Sequence, residues 1–502
     1  MTNSNTTNSN LPPRGNRIAD VVFLILITIL ALAVHGYHYG IEDEAIYLPA
    51  IKKYLDPSLY PFDSFFFLPQ ANLSVVPKLI SLLAQITFLP LAWVVFIAHL
   101  LSLFLILAAC LRLSRKCFDD AGAQWAAVVM VAALMTLPVA GTALYLVDQH
   151  LHQRSLATAA ILWSLSELLD GRYYRAGAGL IIALLIHPMM GPFGVAFAAF
   201  LLWRSGKQLL AFCIIPLSLA LLPFDLRAPS AAWHEAASIC SHYYLLRWEW
   251  YEWIGIFAPL VLLTLFGYLA RRNGLKELHR MSWRLAVFGL FFFVLAAVLT
   301  IPARFERAVP FEPMRAFHLV YLAMFMFAGG LMGRWVLKGR PGRWLILFAP
   351  LCVVMFLVQR QLFSASPHIE IPGIARKNDW LEAFDWIRQN TPRDAKFALD
   401  PNYLASPGLD YHVFRGLAER SMLADRIKDR AVQNTAPALV QIWFEQVKAR
   451  ERWKDFGSED FRRLKKDFGA NWVVVENRGA ANPAAELDCP HRNEMVSVCK
   501  ID

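Results

Sequence analysis

Charged residues are scarce in this chain, and several common signatures are missing. Only 18% of the 502 residues are Asp, Glu, Lys or Arg, against 57% hydrophobic residues, and no soluble globule of this length needs so much apolar surface. The seven cysteines show no CxxC spacing, which argues against a cysteine metal site. No basic stripe with interleaved aromatics accompanies the net charge of +10, so no nucleic-acid partner is expected.

Long apolar runs dominate what is present. Runs of roughly 17 to 25 mostly apolar residues, the length that a helix needs to cross a bilayer, recur from Ile18 to about Gln359. No small-residue cleavage site follows the first run, which is therefore interpreted as a retained helix. The pattern predicts a polytopic α-helical membrane protein with about eleven transmembrane helices. They are expected near residues 18–35, 90–112, 122–146, 155–170, 176–187, 189–203, 208–223, 254–270, 282–301, 316–337 and 344–358.

Lys and Arg residues in the short loops predict the orientation, because cytoplasmic loops carry an excess of them. A polar tail over residues 1–17 is expected inside, a transmembrane domain over 18–360, and a C-terminal domain over 367–502 outside. The lipid bilayer is therefore a predicted partner. The basic sets are Arg14 and Arg17; Arg112, Arg115 and Lys116; Arg172 and Arg175; Arg204 and Lys207; Arg271, Arg272, Lys276 and Arg280; and Lys338, Arg340 and Arg343.

The first outer loop, residues 36–89, is unusually long and opens with three adjacent acids, Glu42-Asp43-Glu44. An apolar helix over Val75–Phe88 is expected to lie on the outer membrane surface. The acids have two interpretations. They form a hydrated cluster at a helix end, or one of them has a raised pKa and serves as a general base, unless a cation or bound metal offsets their field.

The other outer loops concentrate polar residues that also have two interpretations each. The loop that holds His150 and Arg154 is either a hydrated turn or a substrate-binding segment, and His187 either caps a short span or serves the site. Three arginines between residues 304 and 315 suit binding of a lipid phosphate, because the planar guanidinium group matches the phosphate oxygens. The alternative is that these late arginines pair with Glu306 and Glu312. An aromatic group between Tyr243 and Trp253 is interpreted as an interface belt. The three arginines are Arg304, Arg307 and Arg315.

The composition shifts toward charged residues from about Pro367. Helical spacing over Trp380–Gln389 and short apolar runs such as Lys396–Leu399 and Trp472–Val475 predict a small α/β domain outside the membrane. The domain lacks a GxGxxG run, a P-loop and a nucleophile elbow, so no catalysis of its own is indicated. Cys489 and Cys499 lie in this domain, and the sequence leaves open whether they form a disulfide.

Topology and short sequence runs together resemble the GT-C superfamily of membrane glycosyltransferases. The run Asp43-Glu44-Ala45-Ile46-Tyr47, followed by Pro49-Ala50-Ile51, is similar to the start of the same loop in protein O-mannosyltransferases and lipid A aminoarabinose transferases. The tail runs Trp386 to Pro392 and Phe468 to Val475 look like outer domains of bacterial members.

This resemblance implies an inverting sugar transfer from a polyprenyl-phosphate-linked donor to a hydroxyl or amine of an envelope glycan, lipid or protein. It implies Asp43 as the general base, with Glu44 and Glu42 tuning it or joining a divalent cation, Mg or Mn. The late arginines are assigned to the lipid phosphate from charge and location, without a matched motif. A transporter or flippase of lipid-linked or anionic substrates, and a non-catalytic scaffold, are the alternatives.

Overall fold

The computed structural model describes residues 17–208, 214, 229–477 and 486–502. Helices predominate among these residues, and six segments are long and apolar enough to cross a membrane. The chain is a multi-pass membrane protein with a small C-terminal sheet domain. The six segments are Arg17–His35, Leu91–Cys117, Trp250–Arg272, Lys276–Thr300, Ala303–Leu337 and Pro341–Leu362, and the fifth includes the helix Phe317–Met332.

Shorter helices lie between these segments. Most of the predicted span 208–223 and the tail before residue 17 lie outside the described residues, so the count of eleven spans is not established. The span predicted over 122–146 is wrong in its second half, because the helix Ala121–Ala133 ends early. Pro138 cannot continue a helix, and Gly141 takes a φ of +64° in the turn of a two-stranded hairpin. The shorter helices are Ala121–Ala133, Gln153–Leu169, Tyr173–Ile186, Gly191–Leu202 and Ala231–Ser238, and the hairpin strands are Pro138–Val139 and Leu144–Tyr145.

The first outer loop folds into the helices Glu44–Leu55, Leu68–Ala71 and Val76–Thr87. One face of the last helix is buried against the protein, while Leu79 and Ile86 on the other face are 50% and 63% exposed. The predicted helix is present, and an exposed apolar face on a short helix is typical of a helix at a membrane surface.

Basic residues gather at one end of the helix bundle. Arg115 pairs with Asp20 on the first helix at 2.7 Å, and Lys116 pairs with Asp170 at 2.5 Å. The first outer loop and the C-terminal domain lie at the other end, where the first helix finishes at His35. These basic residues and the first outer loop thus lie at opposite ends of the bundle.

The C-terminal domain is built on a five-stranded sheet. Three neighbouring strands run parallel to one another, in the order Ser421–Met422, Lys396–Ala398 and Trp472–Glu476. The next strand, Val496–Lys500, is antiparallel to Trp472–Glu476, and the edge strand Asp488–Arg492 is antiparallel to Val496–Lys500. The strands predicted over Lys396–Leu399 and Trp472–Val475 are confirmed, whereas Ser421–Met422 and Asp488–Arg492 were not predicted. Cys489 and Cys499 form a disulfide between neighbouring strands. The helices are Asp379–Asn390, Phe414–Ala418, Val432–Thr435, Val440–Lys448 and Ser458–Phe468.

Ion pairs attach this domain to the first outer loop. The buried Arg415 guanidinium donates from Nε to Asp63 at 2.5 Å and from its two terminal nitrogens to Asp429 at 2.8 Å each. An exposed pair, Arg393 with Asp56 at 2.8 Å, links the same two parts of the chain. This attachment places the segment that follows Met422 against the acids that open the loop.

Candidate functional site

A cavity of about 730 Å³ lies between the first outer loop, the outer ends of the bundle helices and the C-terminal domain. Its volume falls in the range of small-molecule sites. The cavity brings together residues from six distant parts of the chain, and most of its charged side chains come from outside the long helices. They are Glu42, Asp43, Asp148, Arg154, Arg247, Glu252, Glu312, Arg315, Lys428 and Arg430, with His150, His152, His187 and His242.

Asp43 has both carboxylate oxygens engaged at the cavity wall. Its Oδ1 accepts from Lys428 Nζ at 2.8 Å, and its Oδ2 contacts His152 Nε2 at 2.9 Å. His152 also caps the helix Gln153–Leu169, since its Nδ1 accepts the backbone N–H of Arg154. Since Nδ1 is an acceptor, Nε2 is the nitrogen that donates to Asp43.

These partners decide the ionisation of Asp43. Burial alone would raise its pKa, but Lys428 and His152 together hold the pKa of Asp43 well below its usual range. The pKa of Lys428 is raised in turn, since Asp43 and Glu42 outweigh the effect of burial. Asp43 is thus a carboxylate at neutral pH, with a cation beside it that offsets the field of its acidic neighbours.

Glu44 is directed away from the cavity. The residue begins the helix Glu44–Leu55, is 3% exposed, and accepts a hydrogen bond from the backbone N–H of Gly40. Burial raises the pKa of Glu44 to about 8. A raised pKa was expected for one of the adjacent acids, but its main cause is burial rather than repulsion within the triplet. The structure therefore places Glu42 and Asp43 at the cavity and Glu44 outside it.

The segment from Asp148 to Arg154 forms another wall. One terminal nitrogen of Arg154 donates to both oxygens of Asp148, at 2.6 and 2.7 Å, so this arginine is paired within the segment. Neither ring nitrogen of His150, which is 3% exposed, has a hydrogen-bond partner among the described residues. His187 stacks on His152 with ring centroids 5.7 Å apart. All five of these side chains line the same cavity.

The three late arginines do not stay together. Arg315 lines the cavity and donates to Glu312. Arg304 and Arg307 lie on the exposed turn Ala303–Phe311 and do not line the cavity, and the Arg304 guanidinium lies over the Phe305 ring. Of the set assigned to a lipid phosphate, the structure brings only Arg315 to the acids.

Two cations from the C-terminal domain were missed by sequence reasoning. Lys428 and Arg430 enter the cavity from the turn after Ser421–Met422, although that domain was assigned no chemistry. Arg430 Nε is buried without a hydrogen-bond partner among the described residues. The signal in the sequence was the alternation Arg426, Lys428, Arg430 in a domain where no topology rule calls for cations.

Part of the predicted aromatic belt also belongs to the site. Tyr243 and Trp248 are buried and line the cavity, whereas Trp250 remains 73% exposed as a belt residue should be. His242 lies beside Tyr243, and burial, with Arg315 nearby, lowers the pKa of His242 to about 3. The ring is therefore neutral at physiological pH.

Backbone strain gathers at the cavity. Glu42, Ala143 and Glu312 adopt left-handed conformations, with φ of 51°, 54° and 45°, and all three line the cavity. Residues with a side chain rarely adopt this conformation, which costs about 1–3 kcal/mol and concentrates at functional sites. The strain is an indication of function that does not depend on charge.

The predicted divalent cation does not fit the side chains as they stand. Among the described residues, no group of three or more His, Cys, Asp or Glu side chains is arranged to hold a metal ion. Asp43 is bound by Lys428 and His152, and Glu44 faces the protein interior. The pair named for a metal site therefore cannot act together on one ion.

Comparisons with known proteins add a distant likeness. No protein-family model matches the chain, and neither does any curated protein. Among solved structures the chain is similar to the archaeal oligosaccharyltransferase AglB from Archaeoglobus fulgidus, in complex with an inhibitory peptide and a dolichol-phosphate. The identity is 12%, the match covers 92% of this chain and 70% of that chain, and the TM-score is 0.47. A likeness of this size carries no inference about activity, which rests on the cavity.

Proposed function

We propose that the protein transfers a sugar from a polyprenyl-phosphate-linked donor to a hydroxyl or amine on the outer face of a bacterial cytoplasmic membrane. The acceptor is a glycan, lipid or protein of the envelope. The observation that carries the proposal is the cavity itself. An ionised carboxylate, Asp43, faces the same enclosed space as fixed cations from other loops, at the end of the bundle opposite the basic loops.

In the proposed reaction, Asp43 accepts the proton of the acceptor group while the acceptor atom attacks the anomeric carbon of the donor. The bond between that carbon and the phosphate oxygen breaks, and the polyprenyl phosphate leaves with the bonding electron pair. Direct displacement inverts the anomeric centre. The Asp43 side chain lines the cavity and is 39% exposed, so an acceptor bound in the cavity can come within hydrogen-bond distance of it.

The cations opposite Asp43 suit the departing phosphate. Arg315 and Arg430 line the same cavity, and Arg430 keeps a buried nitrogen without a partner among the described residues. A planar guanidinium group can donate two parallel hydrogen bonds to the oxygens of one phosphate. Fixed donors in an enclosed site also stabilise the negative charge that develops during a reaction. The neutral His242 adds a polar group between them.

The test is sugar transfer by the purified full chain in lipid nanodiscs. Polyprenyl phosphates that carry radiolabelled mannose or aminoarabinose serve as donors, and envelope membranes serve as the acceptor source. Asp43→Asn should lower transfer by about 100-fold or more, the usual effect of losing a general base. Asp56→Asn is the matched control, because Asp56 is an exposed carboxylate in the same loop outside the cavity.

Undiminished transfer by Asp43→Asn would sink the proposed base. Movement of intact donor across a liposome membrane, without a covalent product, would instead support a transporter. Absence of both sugar transfer and donor transport in the wild type would leave the scaffold interpretation.

A further inference from the structure

Lys428 holds the position at which a bridging cation would bind the first two acids. Its Nζ lies 2.8 Å from Glu42 Oε2 and 2.8 Å from Asp43 Oδ1. A divalent cation shared by two carboxylates sits in the same way between one oxygen of each, at 2.0–2.6 Å. The ammonium therefore occupies the position between the two carboxylates that such an ion would need.

The fold of the C-terminal domain fixes the turn that presents this ammonium. Asp425 Oδ1 accepts the backbone N–H groups of Ile427 and Lys428, at 2.8 and 2.5 Å. Asp429, the next residue along the chain, accepts the backbone N–H of Asp425 and is held by the buried Arg415. The backbone at Lys428 is thus positioned by hydrogen bonds to the buried Asp425 that do not involve Asp43 or Glu42.

Two of the other three carboxylates that line the cavity also have cationic partners. Arg154 binds both oxygens of Asp148, and Arg315 binds Glu312. Each of these acids is thus neutralised by a side chain of the protein itself. Fixed cations supply the electrostatic part of what a metal ion supplies, which is charge neutralisation and orientation of carboxylates.

We propose that the Lys428 ammonium takes the place of a divalent cation at the carboxylates of Glu42 and Asp43, so that the cavity works without a metal ion. Lys428 is then a positioning residue that orients Asp43 and keeps it ionised. The statement about sugar transfer rests on the proposed function, whereas the occupation of the cation position does not.

Binding of Mn²⁺, followed by electron paramagnetic resonance on the full chain in nanodiscs, tests the proposal without any substrate. The wild type should bind no Mn²⁺ that depends on Asp43. Lys428→Met should gain a bound Mn²⁺, and the further change Asp43→Asn should remove it. Lys428→Arg keeps a cation between the acids and should bind none, and Lys454→Met, at an exposed lysine of the same domain, is the matched control.

Two outcomes would overturn the proposal. One is binding of Mn²⁺ by the wild-type protein that the change Asp43→Asn abolishes. This outcome can be observed without any variant at Lys428. The other is a folded Lys428→Met protein that binds no Mn²⁺. In the transfer assay, wild-type activity should survive EDTA, and Lys428→Met should lose about 100-fold, with partial recovery in Lys428→Arg. If no transfer is found for any donor, the proposed function fails while the Mn²⁺ result still stands or falls alone.

Discussion

Replacement of Arg415 by Met should loosen the C-terminal domain far more than replacement of Arg393 by Met. Both arginines join this domain to the first outer loop, through Asp63 and Asp56 respectively. Arg415 is 3% exposed and binds two buried aspartates, so its removal leaves uncompensated charges in the interior. Breaking a buried pair in this way costs about 3–5 kcal/mol, whereas an exposed pair contributes about 0–1 kcal/mol.

Hydrogen exchange of the strand Trp472–Glu476, measured by mass spectrometry, reports how often the C-terminal domain opens. The ratio of the exchange rates of variant and wild type therefore measures these free-energy losses. At about 1.4 kcal/mol for each factor of ten, Arg415→Met should raise exchange through domain opening by about 100-fold or more, and Arg393→Met by about fivefold or less. Adding Asp63→Asn to Arg415→Met should restore part of the loss, because it removes one unpaired charge. Equal effects of the two arginine variants would refute the reasoning.

Three further predictions concern single groups. The folded-state pKa of Glu44 is raised from 4.5 to about 8. The contribution of the Glu44 side chain to stability is therefore full at low pH and is lost as the pH rises through about 8. Glu44→Gln should flatten the resulting fall in melting temperature between pH 5 and pH 8. Reduction of the disulfide Cys489–Cys499 should destabilise the outer domain by about 2–4 kcal/mol, and thiol titration of the unfolded protein should yield two more thiols after reduction. Because Lys428 lowers the pKa of Asp43, the acid limb of the pH–rate profile should move to higher pH in Lys428→Met and stay near its wild-type position in Lys428→Arg; an unmoved limb in the Met variant would contradict this role.

Much of the fold follows from local composition. Apolar runs identify the long helices, and the surface helix Val76–Thr87 and the strand Trp472–Glu476 were predicted near their observed bounds. The helix predicted through residue 146 failed because apolar composition does not distinguish a helix from a buried hairpin that a proline begins. Composition thus predicts where the chain is buried better than the shape it adopts there.

The site was predictable only in part, since it depends on distant contacts. Asp43 stood out because of its place in the chain, but Lys428 reaches it from 385 residues away, after a separate domain has docked. Adjacent residues at a helix start point about 100° apart, which is why Glu44 is buried while Asp43 faces the cavity. Neither the docking of the C-terminal domain nor the different directions of the Asp43 and Glu44 side chains leave a recognisable pattern in a single sequence.

The central claim, that Asp43 is the base of a sugar transfer in this cavity, is tested most directly by the transfer rates of Asp43→Asn and Glu44→Gln, measured together at pH 7. Both changes replace a carboxyl by an amide, at neighbouring positions of one loop. Asp43→Asn should lose about 100-fold or more, and Glu44→Gln, whose side chain lies outside the cavity, should stay near the wild-type rate. A wild-type rate in Asp43→Asn, or an equal loss in both variants, would contradict the account.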